Sequence, residues 1–181
     1  MKIFVISDTH GKLNKVRDVL TKLTDVDLIL HAGDYFQDAK ALSAEVNIPV
    51  IGVRGNCDGG GRDDYEVVET EYGNILLVHG HCQGVDYDLS SLGYFAMEQD
   101  CCAAVFGHTH RAAVLEEENI HFINPGSLNL PRDGSGGSYA IIRTTEERFD
   151  ASVVYYDTIF RNKKSGGSGF IKSILNYSDR L

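Results

Sequence analysis

Apolar residues in this chain come in short runs that end in polar, glycine-bearing loops, and their spacing alternates along the N-terminal half. Lys2 to Ile6 is a short apolar, β-branched run, which predicts a strand. After a polar turn, Leu13, Val16, Leu20 and Leu23 follow at helical intervals, which predicts a helix. The same order returns with a strand at Asp27 to Leu30, a loop at Gly33-Asp34, a helix around Ala39 to Val46 and a strand at Pro49 to Val53. The pattern then changes. Tyr65 to Thr70 and Asn74 to Val78 read as a hairpin about Tyr72-Gly73, and Leu89 to Glu98 as a helix. Strands follow at Ala103 to Phe106, Ala112 to Glu116, His121 to Ile123, Tyr139 to Arg143 and Ala151 to Tyr156.

Strands alternating with helices imply a parallel sheet with right-handed crossovers. Mostly antiparallel strands later in the chain imply a second sheet, so the expected fold is an α/β sandwich: two sheets face to face, with helices outside. A single domain is expected over residues 1–162. Asp133 to Ser138, rich in Gly and Ser, reads as a mobile loop. Residues 163–181 read as a linker, Lys163 to Gly169, and a short helix at Phe170 to Tyr177. That helix has an incomplete apolar face, to be covered by its own core or by a second subunit. Leu92, Tyr94, Phe95 and Met97 offer the same choice between core burial and a homodimer face.

The 181 residues are 43% hydrophobic, enough for one substantial core. Twenty-six acids against seventeen bases give a formal charge of -9, a field that disfavours broad nucleic-acid binding but leaves room for a single phosphodiester in a metal-lined pocket. No run approaches a membrane span, and a cytoplasmic protein is expected. Cys57, Cys82, Cys101 and Cys102 form neither a paired zinc motif nor a disulfide framework, so reduced thiols are expected. Cys101 and Cys102 read as small buried hydrophobes.

Chemistry concentrates where apolar runs end. Five loops, Asp8-Thr9-His10, Gly33-Asp34, Gly55-Asn56-Cys57-Asp58, His79-Gly80-His81 and Gly107-His108-Thr109-His110, each follow such a run. Loops leaving the carboxyl ends of parallel strands are where α/β proteins place ligands. Taken singly, Asp-x-His reads as a helix cap beside a surface histidine, and Gly-Asp as a turn. Five together would gather imidazole, carboxylate and amide oxygen on one rim, a donor set that suits Mn, Fe, Co, Ni or Zn better than Ca or Mg alone. Two such cations ~3.5–4 Å apart stabilise the attacking and leaving oxygens of phosphate-ester hydrolysis.

These loops, in this order and followed by Asn124-Pro125-Gly126-Ser127, closely resemble the calcineurin-like metallophosphoesterase superfamily, in particular its compact phosphodiesterase group, from Lys2 to about Tyr156. The resemblance implies a four-layer α/β/β/α sandwich of two mixed sheets. It implies two divalent transition-metal ions, with manganese favoured. Asp8, His10 and His110 would bind the first, Asp34 would bridge, and Asn56, His79 and His108 would bind the second. A bridging hydroxide would attack a small-molecule phosphate ester, with Asp34 and Asn56 in catalytic positions. Asn124 to Ser127 would support the site, face substrate or form a plain turn.

One position departs from the pattern. Many members carry His after Gly-Asn, where this chain has Cys57, a poorer proton donor near neutrality. His81 is the candidate to contact phosphate or protonate the leaving oxygen, and Asp58 to orient a neighbouring ligand. His31 reads as packed or supporting, His121 as structural, and Arg54 and Arg132 as surface charges as readily as phosphate contacts. The expected function is therefore a two-metal phosphodiesterase for a small or nucleotide-like ester. The alternatives are a phosphomonoesterase or nucleotide pyrophosphatase on the same site, and a non-catalytic protein-binding scaffold, since a retromer subunit has this fold.

Overall fold

A computed structural model describes residues 1–59 and 64–160. The elements are β1 (Lys2–Ile6), α1 (Asn14–Leu20), β2 (Leu28–His31), α2 (Phe36–Glu45), β3 (Val50–Gly52), β4 (Tyr65–Val68), β5 (Asn74–Val78), α3 (Ser90–Glu98), β6 (Cys101–Val105), β7 (Ala112–Glu117), β8 (Ile120–Pro125), β9 (Ser138–Thr144), β10 (Phe149–Tyr155) and α4 (Tyr156–Phe160). The strands form two five-stranded sheets, in the orders β10-β9-β1-β2-β3 and β4-β5-β6-β8-β7. Pairing is parallel along β1-β2-β3 and along β5-β6-β8, and antiparallel at the outer strands β9, β10, β4 and β7.

The central strands are mostly apolar on both faces because both faces are covered, and successive side chains point to opposite faces. In β1, Ile3 and Val5 pack between the sheets with Leu28 and Leu30 from β2 and Ile75, Leu77, Val105 and Ile123 from the other sheet. The alternate residues Phe4 and Ile6 face Val16 and Val19 of α1 and Leu42 of α2. In β5, Leu76 and Val78 turn outward to Leu92 and Ala96 of α3. Three apolar spaces therefore separate four layers, and the expected sandwich of two mixed sheets is what the chain forms.

Three local differences have physical causes. Tyr156, expected at a strand end, opens α4 and stacks on Phe160 at 4.4 Å, with Lys15 over its ring. The Asp133 to Ser138 loop, expected to be mobile, is tied down: Lys15 Nζ donates to Gly136 O at 2.6 Å and Tyr156 N to Gly137 O at 2.8 Å. The α3 cluster divides, with Leu92 buried and Tyr94 69% exposed. The expected linker and helix of residues 163–181 lie outside the described residues. Among the described residues no helix is long and apolar enough to cross a membrane, and all four cysteines are free thiols.

Leu77 is fully buried in the space between the sheets. Leu77→Ala should lower the unfolding free energy by about 2–5 kcal/mol, whereas Val114→Ala on the exposed outer strand should change it by about 0.5 kcal/mol or less. Urea titration of the two variants checks both; equal losses would mean that the sheets do not share this core.

Candidate metal centre

The loops after β1, β2 and β3 meet the loops after β5 and β6 at the seam between the sheets. Backbone bonds set the meeting: Asp8 N donates to Gly33 O at 3.0 Å within one sheet, and Gly107 N to His79 O at 3.0 Å within the other. Other bonds cross the seam. His79 Nδ1 lies 2.8 Å from Ala32 O, and His108 N donates to Asp8 Oδ2 at 3.2 Å. So close an approach needs glycine. A Cβ on Gly107 would stand 2.8 Å from both Ala32 O and Asp8 Oδ2, and one on Gly33, at φ +93°, would stand 2.5 Å from His79 Nδ1.

Five of the seven expected ligands, Asp8, His10, Asp34, His108 and His110, have left-handed backbone with φ between 49° and 66°, as does Tyr35 at 71°. Such conformations cost non-glycine residues roughly 1–3 kcal/mol each and gather at functional sites.

The expected ligands assemble into two adjoining groups. In the first, Asp8, His10, Asp34 and His110 each present one donor atom, all within 4.8 Å of one another. His110 Nε2 stands 3.2 Å from Asp8 Oδ1, and His10 Nε2 3.6 Å from Asp34 Oδ2 and 3.4 Å from His110 Nε2. In the second, His79 Nε2 lies 3.4 Å from Asp34 Oδ1, and Asn56 Oδ1 lies 3.0 Å from both His79 Nε2 and His108 Nδ1. The Asp34 carboxylate thus turns one oxygen to each group.

The hydrogen bonds on the far ring nitrogens fix which atoms face inward. Carbonyl oxygens only accept, so His79 and His110 must donate through Nδ1 to Ala32 O and Leu130 O, leaving Nε2 as a lone pair in each neutral ring. Burial keeps these rings neutral, pushing His79 down to about 4 and holding His110 below its ordinary value. His79 Nε2 then faces the Asn56 oxygen, and His110 Nε2 faces Asp8 Oδ1, which is buried without a hydrogen bond. Lone pairs this close repel one another unless a proton or a cation lies between them, and the donor set of carboxylate, imidazole and amide oxygen fits a divalent ion. Asp34 is held below the usual carboxylate range: burial alone would raise it, but the Cys57 N–H at 2.9 Å and the neighbouring His79 and His10 outweigh that effect.

Several supporting residues are clearer in three dimensions than in sequence. His31, expected to be packed or supporting, is fully buried and pushed down to about 4 by desolvation. Its Nε2 lies 2.8 Å from Thr9 Oγ1, which donates to Asp38 Oδ2 at 2.6 Å, while Gly11 N donates to the same oxygen at 2.8 Å. This chain of bonds ties the Asp8-His10 loop to α2. Asp58 accepts from Gly55 N at 2.8 Å and Phe36 N at 2.7 Å, holding the Asn56 loop to the start of α2. The Asn124 to Ser127 turn braces the centre: Asn124 Nδ2 donates to Gly107 O at 2.8 Å, and Ser127 Oγ to Asp8 O at 2.8 Å. Tyr35 sets its ring edge-on to His10 at 5.4 Å, and Asp86 Oδ2 lies 2.7 Å from His108 Nε2; neither was signalled by spacing.

The remaining candidates fall at the margin or outside. The His81 ring lies 5.4 Å from His79 and 6.2 Å from His108, and its buried Nδ1 has no hydrogen-bond partner among the described residues. Desolvation, with the neighbouring Asp34, pushes the Cys57 thiol up to about 11. His121 stacks on Phe149 at 4.5 Å, away from the five loops. Arg54 lies 3.8 Å from Asp64. Arg132 donates its backbone N–H to His110 O at 3.0 Å, and its positive charge acts on Asp8 and His110.

Two mixed sheets carrying Asp, Asn and His at their adjoining strand ends define a metallophosphoesterase architecture. The calcineurin-like phosphoesterase superfamily domain matches residues 1–147, and the chain belongs to that family. It is 35% identical over 159 residues to the probable metallophosphoesterase YsnB of Bacillus subtilis, covering 87% of this chain and 91% of that one. A phosphodiesterase of Methanocaldococcus jannaschii is 28% identical over 144 residues, covering 70% of this chain and 83% of the relative. Among solved structures, a Streptococcus pneumoniae protein described as a predicted phosphoesterase superposes with a TM-score of 0.72 at 28% identity, covering 86% of this chain and 90% of that one.

The buried Asp8 carboxyl gives a test of these electrostatics. Desolvation, reinforced by Asp34, pushes it from 3.8 up to about 7. The folded chain therefore binds this proton more tightly than the unfolded chain, and Asp8's contribution to stability is complete below about pH 3.8 and lost as pH rises to about 7. His79, lowered from 6.5 to about 4, works in the opposite direction over much of that window. Asp8→Asn removes the first contribution and keeps the second. Relative to the parent, the metal-free variant should gain stability with rising pH between about 4 and 7, by at most about 1.4 kcal/mol per pH unit, then level off. Urea titrations of chelator-treated protein at several pH values check this; a difference independent of pH would refute it.

Proposed function

We propose that this chain is a phosphodiesterase dependent on two divalent cations, acting on a small or nucleotide-like phosphate ester. The observation that carries the proposal is the Asp34 carboxylate, with Oδ2 facing His10 and Oδ1 facing His79, shared between two groups of lone-pair donors. Asp8, His10, Asp34 and His110 would hold one cation, and Asp34, Asn56, His79 and His108 the other. The mixed nitrogen and oxygen donors favour Mn, with Fe, Co, Ni and Zn as alternatives. Bound there, the cations would supply positive charge to the phosphate oxygens and acidity to the attacking water.

The chain's own groups divide the remaining work. Asp34 and Asn56 set the spacing of the two donor groups. Asp8, buried and unpaired at Oδ1, contributes negative charge that only a cation or a proton can offset. His81, whose ring lies 5.4 Å from His79 and 6.2 Å from His108, is the group we assign to contact phosphate or protonate the leaving oxygen. Cys57, raised to about 11, contributes its backbone N–H to Asp34.

Metal-stripped protein should regain hydrolysis of a chromogenic phosphodiester when Mn is restored, with lower turnover of the matched monoester. Asp34→Ala should abolish that turnover. A monoester preference would move the assignment to a phosphomonoesterase. Two bound cations without turnover of any ester would favour a scaffold.

His81→Ala separates proton donation from phosphate contact. As a proton donor, His81 should contribute roughly 10²–10⁴-fold to kcat for a diester with an alkoxide leaving group, and far less for one releasing nitrophenolate. Equal losses on both esters would assign it to phosphate contact instead.

A further inference from the structure

Three imidazoles near the seam have their orientation set by a hydrogen bond on the far ring nitrogen, and one of these bonds differs in kind. His79 and His110 donate to the backbone carbonyls of Ala32 and Leu130, which are fixed by the fold. His108 Nε2 instead lies 2.7 Å from Asp86 Oδ2, and the two side chains are 23% and 53% exposed. A carboxylate only accepts, so Nε2 carries the proton and the Nδ1 lone pair points to Asn56 Oδ1 at 3.0 Å. Asp86 is well placed to do this. Its neighbour Val85 is buried against α3, and Val85 N and Tyr87 N close turns onto Gly80 O at 3.4 Å and Gly84 O at 2.9 Å.

The charges of the two donor groups are also unequal. The first holds Asp8 and Asp34; the second holds only the shared Asp34, with an amide and two imidazoles. Asp86 adds a negative charge to the second group through the His108 ring, and a carboxylate on the far nitrogen fixes the tautomer and strengthens the facing lone pair as a donor to a cation.

We propose that Asp86 is a positioning residue that orients and polarises His108, and thereby sets the affinity of the second, weaker cation site. This rests on the two-cation proposal above. The two sites then load at different concentrations, and Asp86 governs only the later step.

The test is calorimetric titration of metal-stripped protein with Mn2+. The parent should bind two cations with separable affinities. Asp86→Ala should weaken the lower-affinity class by about 10–100-fold and leave the tighter class in place. Asp86→Asn, which can accept the same hydrogen bond without charge, should fall between the parent and Asp86→Ala. The Mn2+ concentration for half-maximal diester turnover should rise in the same order, while far-UV circular dichroism of the metal-free proteins stays that of the parent. Two cations bound with both affinities unchanged in Asp86→Ala, or weakened by the same factor, would overturn the role of Asp86 alone. A parent that binds one cation would overturn the two-cation proposal and this inference with it.

Discussion

The hydrogen bond from His79 to the Ala32 carbonyl, at 2.8 Å, is the interaction on which the centre depends. It spans the seam between the sheets, because His79 follows β5 in one and Ala32 follows β2 in the other. It also fixes the ring so that Nε2 can only present a lone pair. Two other donors are placed against this one: Asn56 Oδ1 at 3.0 Å and Asp34 Oδ1 at 3.4 Å lie directly before it. The protein holds mutually repelling atoms together, and rigidity must come from elsewhere. Fully buried apolar side chains beneath the loops supply it, together with the Thr9-Asp38 bond and the Ser127 brace on Asp8. Left-handed backbone at five expected ligands is part of the same balance, since a packed core can hold a strained loop that an isolated segment would release.

Much of this was legible in the sequence because its determinants are local. Ile3 to Ile6 and Ile75 to Val78 announce strands covered on both faces, and the residues just beyond them are the ones brought together. The motif glycines were legible as signals but not as causes. Gly107 must be glycine because Ala32 O and Asp8 Oδ2 approach it from the other sheet, a contact no spacing rule contains. Long-range side-chain pairs were illegible for the same reason. Asp86 meets His108 across 22 positions, and Asn124 holds Gly107 across 17. Tyr35 left no signal either: its left-handed backbone and its edge contact with His10 belong to a turn whose sequence, Gly33-Asp34-Tyr35, permits other conformations.

The formal charge of -9 raises the question of how an anionic ester would approach. A negative surface does not steer it, so the attraction must be local. In the proposed loaded state two divalent cations bring four positive charges, and the nearest carboxylates, Asp8 and Asp34, return two negative charges. The centre is then a positive spot in a negative surround. Its reach into solvent is limited to about 8 Å at physiological ionic strength. Such a field favours small esters that enter the cleft over extended polyanions, which would lay further phosphates across the acidic surface.

The Cys57 position bears on the same chemistry. With its thiol raised to about 11, Cys57 stays protonated near neutrality and gives up its proton reluctantly. Its backbone N–H, by contrast, bonds Asp34 Oδ1 at 2.9 Å whatever side chain follows Asn56. The position thus keeps a structural duty that needs no histidine, while proton donation is open to another group. His81 lies on the loop after β5, with its ring near both His79 and His108. In the proposed reaction a diester whose leaving group is already a weak base needs no such donor, so cysteine in place of histidine would constrain the range of esters cleaved more than the attack on phosphorus.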